Sequence, residues 1–173
     1  MSAKIITKFT VATGDGIENL MGLGTKLAKE KFQNLVKEEL LEKYISENFA
    51  EKILIEEVNS LSNQWLIVYA DEKPAGYARI TSKGHRPASV ASKKAIRIAD
   101  FGILQSHAEV GVLESLYEKC LQVCKAYDAV WLNEFTDNIL LDFFIRNGFE
   151  KQDSKIQFDD LPISSVYLVK MNH

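Results

Sequence analysis

Residues 96–149 read IRIADFGILQSHAEVGVLESLYEKCLQVCKAYDAVWLNEFTDNILLDFFIRNGF. Ile96, Ile98, Phe101 and Ile103 mark a strand over 94–104. After a loop containing Gly111, the residues Val112, Leu116, Cys120, Val123 and Cys124 recur on one face of a helix, with Glu114, Glu118, Lys119 and Lys125 on the other. Residues 129–132 are too short and too β-branched for anything but a buried strand. A helix over 137–147 follows, presenting Leu140, Leu141, Phe143 and Phe144, and Gly148 stands where a helix ends on a left-handed residue. The stretch is therefore a βαβα unit, and the flanks must complete its sheet.

On the amino-terminal side, residues 4–12 alternate as a strand and end in the turn signal Thr13-Gly14-Asp15-Gly16. Ile17, Leu20, Met21, Leu23 and Leu27 then give a helix with Asp15 as its cap, and Gly22 and Gly24 predict a bend or break in its middle. Residues 35–61 carry helical spacing in two pieces, divided at Ser46 or Asn48. Residues 64–70 and 75–82 form a hairpin across Asp71-Glu72-Lys73-Pro74, and 83–93 has loop composition. On the carboxy-terminal side, 155–158 and 165–171 close the sheet around a turn at 159–162. This order predicts an α/β (α+β) fold with helices on both faces of a mixed sheet, and 173 residues suit one domain spanning 1–173.

Composition narrows the function. A net charge of −3, with both signs interspersed, offers no basic footprint for nucleic acid. No run approaches the roughly 20 apolar residues of a membrane span, and the start lacks a cleavable leader, so no membrane association and a cytoplasmic location are expected. Cys120 and Cys124 make neither a disulfide framework nor a zinc site. Gly22-Leu23-Gly24-Thr25-Lys26 lacks the spacing of a phosphate-binding loop.

Set against that order, Gly76-Tyr77, Gly111 and Asp142-Phe143-Phe144-Ile145-Arg146-Asn147-Gly148-Phe149 give the chain a form that resembles the GNAT (Gcn5-related N-acetyltransferase) superfamily over nearly its whole length. Trp131-Leu132, Asn138, Phe143-Phe144 and Gly148-Phe149 are most similar to its bacterial polyamine-acetyltransferase type. The resemblance implies about seven mostly antiparallel strands and acetyl-CoA as co-substrate. It implies that pantetheine lies along Phe101, Gly102 and Ile103, and that the pyrophosphate meets backbone N–H groups of Ala108, Glu109, Val110, Gly111, Val112 and Leu113 at a helix start. Only the middle glycine of the family's pyrophosphate motif is present, and Glu109 brings a carboxylate that repels the ligand. Asn138, or Asp137 beside it, matches the family asparagine at the exit of the fifth strand.

The resemblance also implies that Phe144 contacts the cofactor: four before Gly148, it stands where the family commonly has a tyrosine as general acid, and it has no proton to give. Losing a general acid costs about 10²- to 10⁴-fold. The base that accepts the amine's proton is a carboxylate: Glu134, just past the fifth strand, or Asp100, inside the fourth, whose other reading is an ion pair with Arg97 or Arg79. His85 and His107 receive no role. The implied activity is N-acetylation of a primary amine on a small molecule or peptide, with 35–61 and 83–93 walling the acceptor and no metal required. The alternative is a non-catalytic module that keeps the fold and binds acyl-CoA or a protein partner. Many members of the superfamily pair as homodimers, and the closing strands could pair here.

Overall fold

The computed structural model describes residues 3–158 and 161–172. Seven strands form one sheet: β1 (Ile5–Phe9), β2 (Asn63–Ala70), β3 (Lys73–Thr81), β4 (Ala95–Ile103), β5 (Ala129–Phe135), β6 (Glu150–Gln157) and β7 (Ser164–Met171). Their order is β1-β2-β3-β4-β5-β7-β6, and every neighbouring pair is antiparallel except β4 and β5. The helices are α1 (Gly14–Phe32), α2 (Glu38–Phe49), α3 (Glu51–Asn59), α4 (Val110–Cys124) and α5 (Leu141–Arg146), with short 3₁₀ turns at Ala88–Val90 and Gln105–His107.

Each face of the sheet has its own core. On one, Val112, Leu116, Cys120 and Cys124 of α4 pack on Leu66, Ile98, Val130 and Leu132. On the other, Leu20, Leu23, Leu27 and Phe32 of α1 pack with Tyr44 and Phe49 of α2 against Ile67, Tyr77 and Phe135. The alternation of side chains along a strand divides the two sets, so neighbouring residues serve opposite layers.

Several sequence expectations need correction. Helix α1 runs unbroken through Gly22 and Gly24. A Cβ on Gly24 would meet the Phe49 ring at 2.1 Å, so this glycine seats α2 on α1, and the packing offsets its poor helix propensity. Asp15 lies inside the first turn, with Thr13 at the cap position and no capping side chain. The division between α2 and α3 falls at Ala50. Strand β5 continues to Phe135, which brings Glu134 into the strand, and α5 is confined to Leu141–Arg146. Gly148 does take the left-handed conformation, at φ +96°. Strand β6 starts at Glu150, ahead of the expected 155, and the first half of the turn expected at 159–162 lies outside the described residues.

The feature that positions the site is the incomplete pairing of β4 with β5. They pair only through Ala95, Ile96 and Arg97 against Ala129, Val130 and Trp131. Beyond that, β4 stays with β3 as far as Ile103 and β5 stays with β7 as far as Phe135, so the sheet opens between them. A register shift opposite Arg79 and Ile80 supplies the cause: β4 carries an extra residue there, and a bulge bends its strand.

Candidate active site

The opening begins with backbone geometry. Leu104 N–H donates to the Ala75 carbonyl at 2.8 Å, and Gly102 stands opposite Tyr77 in the same antiparallel ladder. Alternation of the ladder then turns the N–H and C=O of Phe101 and Ile103 away from β3 and into the gap. The Phe101 carbonyl accepts a 3.0 Å hydrogen bond from Lys31 Nζ of α1. Gly102 lets this happen, because a Cβ there would lie 3.1 Å from Lys31 Cε and 3.2 Å from both Lys31 Nζ and Leu27 Cδ2. Leu27 and Lys31, one helical turn apart, thus form the lid of the gap.

Three adjoining spaces follow, sharing lining residues. A groove of about 320 Å³ lies between the β4 and β5 ends, lined by Leu27, Lys31, Gly102, Ile103, Leu113 and Asn138 among others. A second pocket of about 490 Å³ is lined by Trp65, Arg79, Lys83, His85, Arg97 and Asp100, with α2 and α3 residues behind them. Between them is a neck of only about 10 Å³, enclosed by Lys31, Tyr77, Asp100 and Glu134 with apolar neighbours. Leu27 and Lys31 border both groove and neck, while Tyr44, Phe49 and Asp100 border both neck and pocket.

The two carboxylates expected to act as bases therefore meet at the neck, in different surroundings. Asp100 Oδ2 accepts a 3.0 Å bond from Arg79 Nε, and Arg79 also lies 3.6 Å from Glu57. Burial works against the Arg79 charge, and Asp100, by charge and hydrogen bond, together with Tyr77 and Glu57, outweighs it and raises the guanidinium pKa. Glu57 is itself bound by Asn63 at 2.7 Å and approached by Lys83 at 3.8 Å. Of the two partners the sequence offered Asp100, Arg79 pairs with it in the structure.

Glu134 is 2% exposed. Its Oε2 accepts a 2.7 Å bond from Asn138 Nδ2, whose Oδ1 in turn accepts the Leu140 N–H at 2.8 Å and fixes the amide's orientation. Desolvation pushes the Glu134 carboxyl up to about 7, against the opposing pull of the Lys31 charge and the Asn138 hydrogen bond. A carboxyl that titrates near neutrality beside a cleft is suited to taking a proton from an amine and releasing it to water.

The start of α4 is less open than the sequence suggested. Val112 and Leu113 N–H both donate back to the Glu109 carbonyl, at 3.1 and 3.4 Å, and the Val112 side chain is buried in the core. Neither therefore offers a free donor. Ala108, Glu109, Val110 and Gly111 have N–H groups with no acceptor among the described residues, and all four are exposed. Glu109 points its carboxylate to solvent rather than capping the helix. A Cβ on Gly111 would meet Ile5 Cδ1 at 3.0 Å, so this glycine admits β1 against the helix start. Of the motif's side chains, Ala108 and Leu113 line the groove.

Phe144 is corrected outright as a cofactor contact. It is 0% exposed, its ring lies 5.3 Å from Phe101 and 5.6 Å from Phe149, and it borders none of the three spaces. A neighbouring phenol, Tyr117, packs with its ring 6.2 Å away; burial pushes it up to about 12.

Lys31 is the residue that sequence reading missed. The signal was present: Leu20, Leu23, Leu27, Ala28 and Phe32 are the buried stripe of α1, and a lysine interrupts that stripe four residues after Leu27. A basic side chain there must either snorkel out or find a polar partner inside, and the gap supplies one.

A sheet opened between a parallel pair, with clefts meeting at the opening, defines an acyl-transfer fold of the GNAT type. The Acetyltransferase (GNAT) family model matches residues 26–149, and the chain belongs to that family. Among solved structures it is similar to the PaiA N-acetyltransferase of Thermoplasma acidophilum in complex with coenzyme A, at 15% identity and a TM-score of 0.77, covering 97% of this chain and 99% of that one. It is also similar to a GCN5-related N-acetyltransferase from Rhodopseudomonas palustris (11%, TM-score 0.71, 99% and 98% covered). A GNAT acetyltransferase from Staphylococcus aureus aligns at 12% with a TM-score of 0.68, covering 98% and 100%. At these identities the likeness speaks for the fold alone. No curated protein matches the chain.

Proposed function

We propose that the protein is an acetyl-CoA-dependent N-acetyltransferase whose acceptor is a primary amine of a small molecule or peptide. The observation that carries this reading is the neck: a buried carboxyl, Glu134, stands where a groove bordered by gap-facing backbone meets a separate pocket of acceptor size.

The residues present fit the co-substrate. Backbone of Phe101 and Ile103 offers ladder-like bonds to the pantetheine amides, Gly102 leaves them room, and the N–H groups at 108–111 face solvent at a helix start, where an anion is favoured. Lys31 must release the Phe101 carbonyl as that backbone is taken up. The thioester supplies an activated acetyl group. In this chain Glu134 accepts the amine's proton, Asn138 holds that carboxyl in place, and Asp100 with Arg79 shapes the entrance from the acceptor pocket. Phe144 supplies no proton, so the departing thiolate is protonated from elsewhere, which its low basicity permits.

Titration calorimetry with acetyl-CoA, followed by a thiol-release assay across a panel of primary amines, tests the reading. Binding with turnover of at least one amine is the expected result. Binding without turnover of any amine, in a protein whose Glu134→Gln form behaves identically, would favour the non-catalytic module.

A further inference from the structure

The neck already contains an amine. Lys31 Nζ lies 3.0 Å from the Phe101 carbonyl, on backbone that faces the gap, and its Cε and Nζ fill the space that Gly102 leaves open. Among the described residues Lys31 is the one polar residue that borders both groove and neck. Any acetyl group passing from the groove to the acceptor pocket crosses this point. The side chain is half-buried and, among the described residues, anchored by one hydrogen bond, which has to break when the β4 backbone is used by another ligand. The other lysines of α1, Lys26 and Lys29, are exposed on its outer surface.

We infer that Lys31 is a self-acetylation site: with acetyl-CoA in the groove and no acceptor in the pocket, the protein transfers the acetyl group to its own Lys31 Nζ. This rests on the proposed cofactor reading. In the step, the nitrogen lone pair forms a bond to the acetyl carbonyl carbon and the carbon–sulfur bond breaks, its electron pair leaving with sulfur. Of the two protons lost by the ammonium nitrogen, one passes to Glu134 and on to water, and the other ends on the departing sulfur. The products are an amide at Lys31 and free coenzyme A thiol, with one proton released. The Lys31 charge, which favours the ionised form of Glu134, disappears in the process, so the modification disfavours the base that made it. A protein starved of acceptor therefore restrains itself.

The test is to incubate the purified protein with acetyl-CoA alone and to follow the acetyl mass increment by intact-protein and peptide mass spectrometry, with binding measured separately by calorimetry. Lys31 is expected to be modified to near stoichiometry, well ahead of the exposed Lys26 and Lys29. Excess coenzyme A should suppress the modification at Lys31, and Glu134→Gln should slow it by about 10²-fold or more. Lys31→Arg, which keeps the charge and the hydrogen bond, should bind acetyl-CoA and gain no acetyl group at 31. Acetyl-CoA binding with Lys31 unmodified, or modified no faster than Lys26 and Lys29, would overturn the inference and leave the cofactor reading intact. Failure of wild type to bind acetyl-CoA would overturn both. Circular dichroism of each variant separates loss of reaction from loss of fold.

Discussion

The two banks of the opening in the sheet are built on opposite principles. On the β4 bank, Asp100 is met by Arg79, which is met by Glu57, which is met by Lys83 and Asn63, so every charge has a counter-charge. On the β5 bank, Glu134 is more deeply buried and receives one neutral hydrogen bond from Asn138. A carboxylate paired with a guanidinium serves structure; a desolvated one without an ion-pair partner in contact is held close to its titration point and can exchange a proton. In the proposed function the chemistry therefore belongs to Glu134 and the scaffolding to Asp100, and the contrast can be broken by exchanging their roles.

The largest effect is expected on turnover. Glu134→Gln should lower kcat by about 10²- to 10⁴-fold, whereas Asp100→Asn should cost less than about tenfold, since it touches no transferred proton. Steady-state rates with one amine acceptor, measured at a pH above 8, decide between them. Comparable losses in the two variants would dissolve the distinction between the banks.

Stability should respond in the reverse sense. The Glu134 carboxyl rises from 4.5 in the unfolded chain to about 7 in the fold, so between those values the folded state binds the proton more tightly. Below pH 4.5 both states are protonated and the group adds no pH dependence. Between 4.5 and about 7 the unfolded chain ionises while the fold keeps the proton, so stability falls across that window and levels off above it, where the fold carries a desolvated carboxylate. At 1.36 kcal/mol per pKa unit the loss is on the order of 3 kcal/mol. Glu134→Gln removes that loss, so it should melt higher than wild type at pH 8, by roughly 6 to 12 °C for a chain of this size, and match it near pH 4.5. Thermal denaturation at the two values checks the sign. Asp100→Ala, by contrast, should lower stability at pH 7 by about 1–3 kcal/mol, because the largely buried Arg79 loses its charged acceptor.

A smaller shift is expected from Lys31→Met. The Lys31 charge lowers the Glu134 pKa, so removing it should move the acid limb of the pH–rate profile to higher pH and leave the plateau rate less affected. An unmoved limb would mean that the apparent pKa of turnover belongs to another group.

How far this contrast was legible in the sequence depends on what each feature requires. Strand and helix order follow from apolar periodicity, and Gly148 from the steric rule that favours glycine in the left-handed region, so both could be read locally. Asp100 and Glu134 could be nominated, because charged residues in apolar strands are few. Their inequality could not, since it arises from Arg79, Glu57 and Asn138, which three other segments bring to the opening. The continuity of α1 was missed for the same reason: Gly24 weakens an isolated helix, but its partner is Phe49, twenty-five residues on. Phe144 was placed in the site by a motif and in the core by its neighbours, because motif spacing fixes position along a helix without fixing what the facing strand leaves exposed.

The smallest expected effect probes the gap itself. Gly102 has an ordinary strand conformation, so alanine there adds no backbone strain and only introduces a methyl group. That methyl would press on Leu27 Cδ2 and Lys31 Nζ at 3.2 Å, contacts tight enough that one of them must give by a few tenths of an ångström. Lys31 is the end of a flexible side chain and can swing away at little cost, so stability should change by less than about 1 kcal/mol. The lost width matters more to a ligand that must lie against the same backbone. Gly102→Ala should therefore weaken acetyl-CoA binding several-fold by calorimetry with an almost unchanged melting temperature. Gly102→Val, with two further methyl groups, should weaken it more. If both bind as wild type does, the ligand does not run between Gly102 and α1, and the groove's role passes to the wider space beside Leu113 and Ile139.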